Sequence, residues 1–213
     1  MAEQKILVSP IGRVSYPKVW EMAKRAPDSD AMAFQITLIF SEEHFDTEAE
    51  KQQYREDMAR LQAEIRRAVS AKWPEGPPKG KKLRSPLKPN DEQNDDAYAV
   101  QGVHAAFRQD KASSIRVIDG KTRPITKQSG LFYAGCFARV SFNAWAYVHA
   151  MGNGVSLTFY SVQKVRDGEP LAVNADRLVD DSVSQFGEIE GYAEDVEPMD
   201  VGSEVADMGD LFD

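Results

Sequence analysis

Residues 131–149 separate by parity into two faces with different chemistry. One face holds Phe132, Ala134, Cys136, Ala138, Val140, Phe142, Ala144, Ala146 and Val148, all apolar and many small, as the inside of a tightly curved barrel requires. The other holds Tyr133, Gly135, Phe137, Arg139, Ser141, Asn143, Trp145, Tyr147 and His149. Rings interleaved with a cation on an accessible face can stack nucleobases without reading sequence, at about 1–3 kcal/mol per base. Tyr133, Phe137 and Tyr147 are assigned this role first, with Trp145 as a fourth ring. The competing reading is that a helix or a second subunit covers the rings, and Trp145 is where covering is expected first.

A stacked polyanion also needs its phosphates neutralised. Lys79, Lys81, Lys82, Arg84, Arg108, Lys111, Arg116, Lys121, Arg123 and Lys127 lie in or beside segments expected to be loops, and Arg139 can both stack and meet phosphate. Basic loops alone are usually no more than solvated surface; their pairing with the aromatic row is what gives them meaning. The formal charge of −8 hides this, because residues 188–213 carry ten acids and no Lys or Arg. The remainder sets 26 basic residues against 24 acids, a body of about +2.

That acidic segment has glycines and a proline but no apolar stripe, so it is expected to be a disordered tail. It ends in Asp210, Leu211, Phe212 and Asp213, two apolar side chains among carboxylates. Composition alone admits a solubilising role; the terminal Leu-Phe pair points to a short motif for protein partners, whose carboxylates can also occupy a basic groove.

Other chemistries find little support. Three histidines and Cys136 are scattered without metal-ligand spacing, and there is no glycine-rich phosphate loop or nucleophile elbow. No catalytic residue, metal site or cofactor is assigned. The dense acids Asp91, Glu92, Asp95 and Asp96 are the one place where a nuclease could gather Mg²⁺. They sit in an Asn-rich loop without an apolar frame and read as a solvated turn. A single cysteine suits a reducing compartment, and no apolar run is long enough for a signal peptide or a bilayer span. The expected location is cytoplasmic, with no membrane association.

The elements that would position these residues are mostly strands. Residues 4–14 read as a strand bent at Pro10 and Gly12, and 15–20 as an extended or looping segment with Tyr16 constrained by Pro17. Residues 31–40 form a strand with Phe34, Ile36, Leu38 and Phe40 on one face. Thr47 and Glu50 make a capping box for an amphipathic helix over about 48–72, striped by Tyr54, Met58, Leu61, Ile65 and Val69. Further strands are expected near 81–87, 98–108, 115–118, 131–149 and 155–165, the last two as a hairpin. The fold class is all-β with one inserted helix: an OB-fold-like five-stranded β-barrel with extra strands and loops. Residues 1–170 form the binding domain, 171–187 a linker and 188–213 the tail.

The chain resembles the OB-fold single-stranded-DNA-binding proteins of tailed bacteriophages. The resemblance rests on Gly12-Arg13-Val14-Ser15-Tyr16-Pro17, on residues 132–140, on Ala146-Tyr147, on Gly154-Val155-Ser156-Leu157 and on residues 162–169, in that order, with an acidic tail ending near Phe212. It implies non-catalytic, sequence-independent binding of single-stranded DNA in phage replication or recombination, in the host cytoplasm if the protein is phage-encoded. It also implies a tail that moderates binding and recruits replication proteins. A homodimer stays open. So does a protein-interaction module whose aromatic face is a subunit interface.

Overall fold

A computed structural model of the chain describes residues 6–25, 29–77, 83–92, 96–149 and 152–171. The elements run β1 (Leu7–Val8), β2 (Gly12–Lys24), β3 (Met32–Phe40), α1 (Glu48–Lys72), β4 (Leu87–Pro89), β5 (Val103–Gln109), β6 (Arg116–Ile118), β7 (Phe137–Tyr147) and β8 (Gly154–Arg166). The expected class holds: among the described residues there is one sheet of eight strands with a single α-helix between β3 and β4.

Five strands close on themselves. β2 pairs antiparallel with β3, β3 with β5, and β7 with β8, while β5 and β8 run parallel through Phe107↔Leu157 and Arg108↔Thr158. The seam is shut by Gly12↔Ala138 and Arg13↔Phe137 between β2 and β7. Closure removes most of the unpaired strand edges that an open sheet would expose. Gly12 is required at the seam, since a Cβ there would lie 2.9 Å from the Leu38 Cβ and 3.0 Å from the Ile39 carbonyl oxygen.

The alternation in the sequence becomes the inside of this ring. Val14, Ile36, Leu38, Phe40, Ala105, Phe107, Val140, Phe142, Leu157 and Phe159 all point inward and are essentially solvent-free, with Phe107 and Phe142 meeting edge to face at 5.6 Å. Helix α1 begins where the sequence places it. The Thr47 hydroxyl accepts from the Glu50 backbone N–H, and the Glu50 carboxylate accepts from the Thr47 N–H at 3.1 Å. Its buried Leu61 and Ala68 join the barrel core, and Glu64, buried on the same helix, is held by Arg67 at 2.6 Å.

Three boundaries differ from the sequence reading. β7 starts at Phe137 rather than 131, because Gly135 turns the chain at φ 108°. β2 continues through Pro17 to Lys24, since a register shift between Ser15 and Lys18 absorbs the missing proline N–H. β5 begins at Val103, after a 3-10 turn over Asp96–Tyr98 lays Tyr98 against His104 at 5.0 Å.

One half-buried group carries a pH consequence. His44 follows β3 in a 3-10 turn, and neither of its ring nitrogens has a hydrogen-bond partner among the described residues. Burial, with the Arg13 and Arg166 guanidiniums nearby, lowers its pKa from 6.5 to about 4. The unfolded chain binds this proton at higher pH than the folded one, so stability falls as pH drops from about 6.5 towards 4, by up to about 3 kcal/mol. Urea unfolding at pH 7 and pH 4.5 should show this loss in the native protein and a smaller one in His44→Phe; equal losses in both would remove His44 as the cause.

Candidate nucleic-acid interface

The four rings expected to stack do not share one environment. Tyr133 lies before β7, half-buried, its hydroxyl 2.9 Å from both the Asp167 carboxylate and the Gly168 carbonyl, with the Lys164 ammonium 5.3 Å from its ring centre. Phe137 is only 7% exposed: His44 packs edge-on at 5.2 Å, and the Arg166 guanidinium covers the ring at 3.6 Å. The expectation that Phe137 sits on an accessible face is therefore corrected. The residues after β8 fold back over the start of β7, and alternation alone does not reveal that cover.

Trp145 reverses the expectation in the other direction. It was the ring for which covering was expected first, yet it is 45% exposed. Its indole N–H donates to the Thr158 hydroxyl at 3.0 Å, and half-buried Tyr147 meets it edge to face with ring centres 5.9 Å apart. Tyr147 is seated by Gly154, where a Cβ would come within 2.8 Å of its hydroxyl and 2.9 Å of the Arg84 carbonyl oxygen.

The cations fall into two groups. Arg84 is exposed and bridges in parallel to Gly154, its N–H donating to the Asn153 carbonyl at 2.9 Å. Arg108 pairs in register with Thr158, the acceptor of the Trp145 indole. It is half-buried and donates weakly to Gln35 at 3.4 Å, with no carboxylate partner among the described residues. Burial lowers its pKa from the usual guanidinium value, nearby Arg25 adds to the shift, and Tyr147 acts the other way. Arg108 nonetheless stays charged in water at any ordinary pH. Arg25 is held loosely by Asp110 at 3.7 Å. Arg84 and Arg108 thus lie beside Trp145 and Tyr147, with Arg25 next to Arg108.

The second group lies towards the other end of β8. Arg139 is exposed and held by Gln163 at 2.9 Å, and Arg116 is exposed in register with Ser161. Lys121 is exposed nearby, and Arg123 is paired with Asp119 at 2.7 Å. Lys111 is exposed in the turn after β5, and Lys127 is bonded to Glu21 at 2.6 Å. Lys79, Lys81 and Lys82, like Asp210, Leu211, Phe212 and Asp213, lie outside the described residues. The sequence reading missed Arg25, Gln35 and Thr158. Only cross-strand register connects them to the rings, and register is not written in any one segment.

An open outer face with two rings and three arginines on a five-stranded barrel is suited to a flat, anionic chain, and that is the class of site the geometry defines. The chain belongs to the family described as Enterobacter phage Enc34, ssDNA-binding protein, whose pattern it matches over residues 4–196. Its fold resembles the single-stranded DNA-binding protein from bacteriophage Enc34, with a TM-score of 0.56 and 15% identity over 78% of this chain and 83% of that one. The structure of the same phage protein in complex with ssDNA gives the same score and identity, over 78% and 88%. Bacteriophage T7 gp2.5, a single-stranded DNA binding protein, matches with a TM-score of 0.51 and 16% identity over 81% and 97%. No curated protein sequence matches the chain. Among the described residues no helix is long and apolar enough to cross a membrane.

Proposed function

We propose that the protein binds single-stranded DNA without sequence preference, stacking bases on Trp145 and Tyr147 and holding phosphates with Arg108, Arg25 and Arg84. The observation that carries this is Arg108: a half-buried guanidinium without a carboxylate partner among the described residues, repelled by Arg25, close to exposed Trp145 and half-buried Tyr147. A cation in that setting gains most from an anion that arrives from outside. Family membership supports the same ligand. Arg116, Lys121, Arg123 and Arg139 extend the basic surface for DNA leaving the rings.

The wider role follows from the same reading: protection of single strands in phage replication or recombination, without catalysis, in the host cytoplasm. Residues 1–170 serve as the binding domain and 171–187 as a linker. The acidic segment 188–213 competes for the cations and recruits replication proteins through Leu211 and Phe212.

The test is a titration of labelled oligo-dT with the full chain and with a truncation ending at Gly187, at several salt concentrations. With about five phosphates neutralised, log K should fall against log salt with a slope near −3.5. The truncation should bind more tightly than the full chain. Absence of binding by both proteins at low salt would overturn the reading, and equal affinities would remove the tail from competition.

A further inference from the structure

We propose that Tyr16 is a third stacking ring, at the far end of a track that crosses the strands from Trp145 and Tyr147 and holds about four nucleotides. This rests on the single-strand reading above and extends it to a residue and a path.

Cross-strand register lays out the path. Asn143 on β7 is partnered with Thr158 on β8, Thr158 with Arg108 on β5, Arg108 with Gln35 on β3, and Gln35 with Lys18 on β2. Partners in register share a face. The four steps, at about 4.8 Å each, span roughly 19 Å. Strands closing into so small a barrel must tilt steeply, so a row perpendicular to them runs partly along the barrel axis instead of straight round it. Trp145 lies two residues beyond Asn143 at one end, and Tyr16 lies two residues before Lys18 at the other. Between them the row offers Thr158, Arg108 and Gln35: polar groups and one cation, suited to a sugar–phosphate backbone. A single small barrel commonly takes from about 4 nucleotides upward, which this length accommodates.

The backbone at Tyr16 is the second observation. Its φ is 47°, a left-handed conformation that bulky residues seldom adopt, and Pro17 follows it. It sits in the register shift between Ser15 and Lys18, where an extra residue bends the strand and re-aims a side chain. The neighbouring Ser15 is buried and bonded by the Tyr98 hydroxyl at 3.2 Å, while Tyr16 emerges 62% exposed. Burial does not hold the ring there, and glycine would fit the backbone better. An exposed aromatic kept at a strained position is the pattern of a ligand contact.

The experiment compares the native protein, Tyr16→Gly, Tyr16→Trp and Trp145→Ala for binding of labelled dT8 and for thermal unfolding. Tyr16→Gly is expected to bind about tenfold more weakly, the lower part of the range for one lost stack, with a melting temperature unchanged or raised. Tyr16→Trp is expected to keep native affinity. Native affinity in Tyr16→Gly alongside weakened Trp145→Ala would overturn the Tyr16 assignment and leave the single-strand reading standing. A Tyr16→Gly protein that melts earlier as well as binding weakly would also overturn it, by making the ring structural. Failure of the native protein to bind dT8 at low salt would sink the underlying reading first.

Discussion

Replacing Trp145 and Tyr147 together by alanine is expected to weaken oligo-dT binding by about a hundredfold to a thousandfold while leaving the fold intact. Each stacked base is worth about 1–3 kcal/mol, and both rings lie on the outer face, with the Trp145 indole N–H donating to Thr158. The single variants should not add, because the rings touch edge to face at 5.9 Å and each positions the other. Phe137→Ala is the matching control. Its ring is sandwiched by His44 and Arg166, so its loss should lower the urea midpoint and leave affinity within about twofold. Anisotropy titrations and urea melts on the same four proteins decide the matter. If Phe137→Ala abolishes binding in a protein of normal stability, the stacking face has been put on the wrong end of β7.

Gly135→Ala is expected to be among the most damaging single methyl additions at the described residues. Gly135 stands at φ 108°, and a Cβ there would lie 2.1 Å from the Glu169 carbonyl oxygen and 2.7 Å from the Leu171 nitrogen, all backbone that cannot swing aside. Its own N–H donates to the Val14 carbonyl at 2.8 Å, and the Leu171 N–H donates to the Ala134 carbonyl at 2.9 Å. One methyl therefore pushes the segment after β8 off the barrel seam and uncovers Phe137. A cost of about 3 kcal/mol or more is expected, which lowers the melting temperature by roughly 6–12 °C for a chain of this size. Calorimetry checks it directly; a variant melting within a degree or two of the native protein would show that the seam yields easily.

Local signals in the sequence were enough for what depends on neighbouring residues. Thr47 and Glu50 located the start of α1 because a capping box is a contact between residues three apart. The apolar parity set of β7 from Ala138 to Ala144 lies inside as read, because period-two alternation follows directly from the pleat. The failures share a cause. Phe137 and Trp145 have the same parity and both carry rings, and only chain arriving from elsewhere covers one and leaves the other open: Arg166 and His44 lie 29 positions after and 93 before Phe137. Arg108 was legible as a cation, but its lack of a carboxylate partner among the described residues and its pairing with Thr158 are tertiary facts. Tyr16 was read only as a constrained residue before proline, because a positive φ inside a strand leaves no compositional trace.

The parallel pairing of β5 with β8 also governs when the protein can work. Hairpins such as β2–β3 and β7–β8 join strands close in sequence, whereas Phe107↔Leu157 and Gly12↔Ala138 bring together residues 50 and 126 positions apart. Loop-closure entropy makes such distant contacts slow to form, and they follow the local ones. The row from Lys18 to Asn143 crosses the first of these, through Arg108↔Thr158, so neither hairpin alone can present it. A ligand lying along it therefore selects the form in which β5 and β8 are joined over either hairpin alone, and its binding free energy adds to the stability of that form by mass action. Where single strands are abundant, the newly made chain is drawn towards its native state by the molecule it is built to hold.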